Sequence, residues 1–512
     1  MSEKIKGFFV DAWKKILKNK IKIGKFSGII AILVLVAFLI EYFGLKGGLF
    51  NQYCFLLILC IEFLVAFFVL FRKKIGERPE IGFLAVALIA GSLLSFSEPK
   101  TYVSWDERIH FKRGEDIKRA VIGGPTRPNE VESSYSLEEQ KKINSETNEK
   151  YKKPKSKNFG ILHELSYNRL GYLPAALVLT TGELIGLPYH IIFIFGRWIN
   201  VLVYALVVYF AIKKLKSGKM IMSVVALLPT AVFLSANYNY DSWVTAFSLL
   251  GLAYVFSELQ QPEKKITVKE MAIMIGAFIV AMGPKAIYFG LMLLLLLLNK
   301  QKFANIKQYK KYMFASALSV LFVLGSFVIP FVIGGPGEGD KRGGKTVNAA
   351  EQVQFVLSEP IEYSKILGKF MVGYINPMNA TTFVSSFAYL GIISGFGLVM
   401  LLLAFVTFTD KNEFDKHTAN WKTRLLVIGI YLATVALIAS ALYVSFTPVR
   451  SEIIKGVQPR YLLPLLFPVL LILGSSRFKN PFNKNIYNLA IFIVMAAVLL
   501  NGTWELIISR YY

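Results

Sequence analysis

Long apolar runs separated by short Lys- and Arg-rich stretches set the pattern of this chain. Read as membrane-crossing helices, they predict spans at roughly 27–43, 52–71, 81–97, 191–212, 220–236, 241–257, 268–282, 286–299, 312–333, 383–408, 424–446, 460–475 and 487–507. That is about thirteen helices. The runs are too long and too continuous for the alternating strands of a membrane β-barrel. The expected fold class is therefore an all-α polytopic membrane protein. The runs at 268–282 and 286–299 are short for a full crossing, which predicts local thinning or protein-buried ends.

A further apolar stretch, 170–187, has two readings. If it crosses, Lys213, Lys214, Lys216 and Lys219 fall outside, as do the run Lys300 to Lys311 and the group Arg477, Lys479, Lys484. If it lies in the interface, every Lys-rich short loop falls inside, as basic loops prefer. Gly171, Pro174, Gly182, Gly186 and Pro188 also make it a poor continuous helix. The interfacial reading predicts a cytoplasmic N-terminus, an outer C-terminus and two long outer loops, 98–190 and 334–380. The first loop carries a charged insert over 112–158, rich in Lys, Glu, Asn and Ser, a composition that favours mobility. The second opens with the turn-rich GGPGEGDKRGG. It continues as AAEQVQFVLSEPIEYSKILGKFM, in which Pro360 predicts two short helices along the membrane.

Composition agrees. The 512 residues are 54% hydrophobic, with a mean hydropathy of +0.51. The net charge of +25 sits mostly in short loops between apolar runs, which points to topology and anionic lipid and not to nucleic acid. Residues 1–26 carry eight Lys interleaved with Phe8, Phe9, Trp13, Ile16 and Leu17. This is expected to be a basic amphipathic helix on the cytoplasmic surface, not a cleaved signal peptide. Cys54 and Cys60 lie on different faces of one predicted helix, so no disulfide is expected. The four histidines are scattered, so no Cys/His metal site is expected. No internal repeat or matched pair of broken helices is visible, which counts against a secondary transporter.

Candidate chemistry gathers at the predicted outer helix ends. SWDERIH follows the third span and brings Asp106, Glu107 and His110 to its mouth. Ionisable groups so close to hydrocarbon are functional candidates. Tyr240 and Asp241 lie in NYNYDSW, and Lys285 follows Gly283-Pro284 in a tight turn. Gln458, Arg460 and Tyr461 open the span beginning QPRYLLP, while His163 and Tyr167 precede the interfacial stretch. Each has a plainer role open to it. Asp241 suits a helix N-cap, Lys285 can snorkel, and Arg460 can neutralise Asp241 or anionic lipid. What sets these residues apart is that acids, bases and aromatics coincide at one depth. Such a site would suit a lipid-borne substrate, with apolar walls for the chain, cations for a phosphate and carboxylates at the headgroup.

The chain resembles the GT-C class of integral-membrane glycosyltransferases and, within it, a family of predicted bacterial membrane proteins of unknown function. The resemblance rests on WDERIH, HELSYNRLGYLPAAL with the later Arg197, LLPTAVFLSANYNYDSW, GPKAIYFGLMLLLL, EQVQFVLSEPIEY and GVQPRYLLPLLFP, spread from about 81 to 475. Two extra spans within 27–80 and the charged insert in the first loop depart from the usual plan. The organisation expected is then a basic segment 1–26, two added helices in 27–80, a GT-C-like membrane domain over 81–475 and a last helix in 476–512.

The resemblance implies transfer of a sugar from a polyprenyl phosphate or diphosphate to an acceptor on the non-cytoplasmic face, with inversion. It implies a carboxylate in the first outer loop as general base or as a holder of a metal. Asp106 is the expected base, with Glu107 orienting it or sharing the role. Lys285 and Arg460 are expected at the donor phosphate. His110, His163, Tyr167, Tyr240, Asp241, Gln458 and Tyr461 are expected to line the substrate pocket. A divalent cation, Mg or Mn, is compatible with the adjacent acids, but two carboxylates do not complete a site. The lysine-rich composition suits a Gram-positive cell membrane, where the acceptor would be a cell-wall polysaccharide or teichoic-acid-like polymer. The alternatives are a lipid-linked oligosaccharide polymerase or ligase, and a flippase. The flippase would need a cationic path through the bilayer, and few charges lie within the spans, Glu41 and Glu62 being exceptions.

Overall fold

A computed structural model describes residues 20–45, 49–98, 103–123, 141–142, 145–146, 149, 164–335, 337–375, 383–418, 420–474 and 480–512. His163, most of the basic N-terminal segment and most of the charged insert lie outside them. The described residues are helical almost throughout and form no β-strand.

The first helices run in sequence order. α1 is Lys20–Leu39, continuing as a π-helical turn to Leu45; α2 is Gln52–Glu77 and α3 is Pro79–Ser97. Asn51 caps α2 by accepting hydrogen bonds from the Tyr53 and Cys54 amides. α4, Glu107–Ile122, precedes a 3₁₀ turn at Tyr167–Tyr172 and α5, Leu173–Leu184. At twelve residues α5 is about 18 Å long, well short of a bilayer core. Gly186, at φ 71°, closes it, and the Leu187 amide bonds back to the Gly182 carbonyl at 2.9 Å.

α6 is Tyr189–Lys214. The apolar run that follows is broken into α7, Lys219–Ala226, and α8, Pro229–Ser235. Pro229 cannot donate to the preceding turn, so the helix restarts there. α9 is Asp241–Leu259 and α10 is Val268–Met282, the latter opened by a capping box between Thr267 and Glu270. The apolar stretch Ala286–Leu297 winds as a 3₁₀ helix. Its rise of about 2 Å per residue carries twelve residues roughly 24 Å, further than an α-helix of equal length. α11 is Ile306–Gly334, α12 is Ala349–Ser358 and α13 is Pro360–Ile375. α14 is Phe396–Thr409, so the apolar run expected over 383–408 is helical only in its second half. A short turn at Asp415–Thr418, α15, precedes α16, Trp421–Phe446. A 3₁₀ turn at Pro459–Leu462 leads into α17, Leu463–Leu473, and α18 is Lys484–Thr503.

Eight helices among the described residues are long and apolar enough to cross a membrane: α1, α2, α3, α6, α9, α11, α16 and α18 with its extension. Three shorter apolar segments, Ala286–Leu297, Phe396–Thr409 and Pro459–Leu473, accompany them. α9 is the central helix. It is mostly buried and packs against α6, α10 and α17, whereas α1 and α11 expose most of their apolar surface. Exposed apolar residues on long helices are what a lipid solvent permits.

The nineteen residues of α9 span about 28 Å and separate two charged layers. Near Leu259, buried Glu258 meets Lys214 at 2.9 Å, Lys264 at 3.0 Å and Lys302 at 3.1 Å. Glu270 shares Lys214 at 2.8 Å and also contacts Lys264. This layer ties α6, α9 and α10 together at one end. The layer at Asp241 is of a different kind.

Candidate functional site

The site is built on chain reversals. Leaving α3, the chain reaches Ser104 and Trp105, then turns through Asp106, whose φ of 58° is left-handed. A non-glycine residue in that region is strained unless its surroundings hold it. The hold is Glu107. Its side chain turns into the protein, is essentially unexposed, and accepts 2.8 Å hydrogen bonds from Arg197 of α6. Its backbone amide donates to the Ser104 carbonyl at 3.4 Å. Arg197 meets Glu98 at 3.0 Å, and Asn237 donates to Glu98 at 3.0 Å. Asn200 in turn donates to the Asn237 carbonyl at 3.0 Å. This buried Glu98–Arg197–Glu107 triad joins the segment carrying Asp106 to the segment leading to Asp241. Burial, the largest effect, holds the Glu98 and Glu107 carboxyls above the usual carboxylate range, and Arg197 opposes it.

The adjacent acids therefore point apart. Asp106 faces a cluster that Glu107 does not enter. Arg460 reaches Asp106 at 3.6 Å and Asp241 at 3.0 Å, and Lys285 reaches the other oxygen of Asp241 at 3.2 Å. Arg342, from the glycine-rich turn before α12, adds a 2.8 Å pair with Asp106 and also pairs with Asp340 at 2.6 Å. Asp241 and Arg460 are almost unexposed, while Asp106 is partly open. Lys285 sits 3.4 Å from the Tyr461 ring centre, and Arg460 lies 4.7 Å from the Trp105 ring centre. Burial pushes Lys285 down to about 8, Asp241 opposing. Among the described residues, the Nη1 of Arg460 and the Oε1 of Gln458 are buried without a hydrogen-bond partner.

Aromatic side chains wall the cluster. His110 shares a 2.9 Å hydrogen bond with the Tyr172 hydroxyl and meets the Tyr240 ring edge-on at 4.9 Å. Burial pushes His110 down to about 4, so it is neutral near pH 7. Tyr288 donates to the Tyr461 carbonyl and Tyr374 to the Gln458 carbonyl, both at 2.8 Å, which fixes the turn carrying Arg460.

Of the residues singled out in the sequence, Asp106, His110, Tyr240, Asp241, Lys285, Gln458, Arg460 and Tyr461 come together. Glu107 is diverted to Arg197. Tyr167 stands behind the site, its hydroxyl donating to the Ile279 carbonyl at 2.7 Å. It backs Gly283, where a Cβ would lie 2.6 Å from the Tyr167 carbonyl oxygen. Trp105, Tyr172 and Tyr288 join the site although sequence reasoning passed over them. So does Arg342, which sits in a stretch that reads as linker.

Among the described residues no three His, Cys, Asp or Glu side chains gather to hold a metal ion. The guanidinium of Arg460 lies between the carboxylates of Asp106 and Asp241, and Glu107 is committed elsewhere, so the residues do not fit the divalent cation entertained above. A cavity of about 700 Å³ lies apart from the cluster, in an apolar groove between α2 and α18.

A family model described as "Predicted membrane protein (DUF2142)" matches residues 88–471. The chain belongs to this family of predicted membrane proteins. The matched region contains every residue of the DUF2142 member's charged cluster and leaves out α1, α2 and α18. No curated protein and no solved structure matches the chain.

Proposed function

We propose that this protein is a GT-C-type membrane glycosyltransferase that moves a sugar from a polyprenyl-phosphate-linked donor to a surface polysaccharide or teichoic-acid-like acceptor on the non-cytoplasmic face. One observation carries the reading: Asp106, the partly buried Lys285 and the buried Arg460 meet at one end of an apolar helical bundle among aromatic side chains. In the proposed topology the shorter apolar segments complete about thirteen crossings, the Glu258 layer faces the cytoplasm and the Asp106 layer faces out.

In this reaction the acceptor hydroxyl attacks the anomeric carbon from the face opposite the phosphate. The bond from that carbon to the phosphate oxygen breaks with its electron pair, giving inversion. Asp106 takes the hydroxyl proton, a contribution of about 10²–10⁴-fold. The leaving phosphate gains charge, which Lys285 and Arg460 stabilise; removing one such fixed donor costs about 10²–10³-fold in comparable sites. Without donor, both cations lean on Asp241. A bound phosphate would compete for them, and Asp241 would keep them in place. Trp105, Tyr240 and Tyr461 offer faces for the sugar.

The test is Asp106→Asn in membranes supplied with polyprenyl-phosphate-linked sugars, at matched protein level. Transfer is expected to fall at least about 100-fold. A wild-type rate would refute the assignment. A polymerase, ligase or flippase would leave the variant's monosaccharide transfer without a wild-type activity to compare.

A further inference from the structure

At the end of the bundle opposite Asp106, a separate cavity of about 240 Å³ opens between the α6–α7 turn, the segment after α14 and the start of α18. Four lysines line it: Lys216, Lys219, Lys411 and Lys484, with Asp410 as the one carboxylate among its lining residues. Asp410 is already engaged, its Oδ2 accepting the Met220 and Ile221 amides at 2.6 and 3.1 Å. Lys219 lies 3.8 Å from Glu80, which Arg78 holds more closely at 3.1 Å. Lys216 and Lys484 have no ion-pair partner among the described residues.

Lysines outnumber carboxylates four to one in the cavity lining. Lys219 and Lys484 are each the first residue of a helix, α7 and α18, where the helix dipole already presents its positive end. Burial pushes Lys219 below the usual lysine range; Glu80 and Asp410 oppose the shift, while Lys484 and Lys216 add to it. The backbone nevertheless holds the site in shape. Gln260 accepts the Lys216 and Ser217 amides at 3.0 and 3.1 Å, Asn412 donates to the Lys216 carbonyl at 2.9 Å, and Lys411 donates to the Leu471 carbonyl at 2.8 Å. A pre-shaped cavity with four lysines and one carboxylate in its lining favours an anion; because Asp410 caps α7 and Asn483 caps α18, the lysine ammonium groups would be its donors.

We propose that this cavity binds a phosphate group, supplied by an anionic lipid headgroup or by free phosphate. Phosphate oxygens would take the lysine ammonium groups as donors. The cavity is roomy enough for the ester substituent of a lipid. The site is independent of the sugar-transfer reading and would stand if that reading failed.

The test uses the full chain in phosphatidylcholine nanodiscs, with two probes: phosphatidylglycerol mixed into the disc, and inorganic phosphate in the buffer. Binding is read by native mass spectrometry and by the shift in melting midpoint. Lys216→Gln/Lys484→Gln removes two exposed lysines of the cavity, and Lys307→Gln/Lys310→Gln removes two from the start of α11 outside it. The cavity pair is expected to weaken the bound probe about 25-fold, at about fivefold per lysine, and the α11 pair less than about twofold. Retention of phosphatidylglycerol alone assigns the site to a headgroup, and of inorganic phosphate alone to free phosphate. Failure of the wild-type chain to bind either probe, or equal weakening by both lysine pairs, would overturn the proposal.

Discussion

Arg197 is a residue whose loss should be costly to the fold. It is buried between two buried carboxylates, Glu98 at 3.0 Å and Glu107 at 2.8 Å. Arg197→Gln leaves both acids in a low-dielectric site with no cation, and breaking a buried ion pair in this way costs about 3–5 kcal/mol. Glu98→Gln does the opposite: it leaves one carboxylate for one guanidinium and keeps an acceptor for Asn237, so its cost should stay below about 1 kcal/mol. In a chain of this size each kcal/mol shifts the melting midpoint by roughly 2 °C, so Arg197→Gln should melt roughly 5–10 °C below Glu98→Gln in the same detergent. A pH series adds a second arm. Both carboxyls are held above their unfolded value, so the folded state binds more protons, and stability should fall as pH rises from about 4.5 through neutrality. Glu98→Gln should flatten that slope. Equal melting of the two variants, or Arg197→Gln melting with wild type, would refute the account of the triad.

Other perturbations follow the same geometry. Gly283→Ala would press a Cβ against the Tyr167 carbonyl at 2.6 Å; a loss of about 1–3 kcal/mol in stability is expected, measured by thermal melting. Arg342→Ala should change the melting midpoint little, by less than about 1 kcal/mol, because its pair with Asp106 is exposed and screened, and raising salt on the wild type should mimic it. For topology, Lys365→Cys in α13 and Lys310→Cys in α11, in a Cys54→Ala/Cys60→Ala background, should differ in intact cells. A membrane-impermeant maleimide is expected to label the first and spare the second, and the reverse pattern would invert the proposed orientation.

Much of the site was legible because its residues sit where apolar runs stop. Asp106, Asp241, Lys285 and Arg460 each flank such a run, and the end of a run is visible in a linear sequence. The pairing of Asp106 with Glu107 was not legible correctly, because adjacency along a chain says nothing of direction. The left-handed turn at Asp106 sends the two carboxylates opposite ways, and Arg197, ninety positions on from Glu107, claims one of them. Arg342 was hidden for a related reason: its stretch of glycines carries no periodic signal, and only the fold returns it to Asp106. The helix count depended on the same limit. Hydropathy registers 220–236 and 383–408 as continuous, whereas Pro229 and the irregular segment before Phe396 divide them.

Composition and hydropathy alone determined that this is a helical membrane protein with charge gathered mostly at helix ends. That follows because hydrocarbon admits only backbones that satisfy their own hydrogen bonds, and few charges. Which charges meet was left to the tertiary structure. Ion pairs form across helices far apart in sequence, and their geometry is set by packing, not by spacing. The fold gave Glu107 to Arg197, left Asp106 at the cluster, and set four lysines around a cavity at the other end.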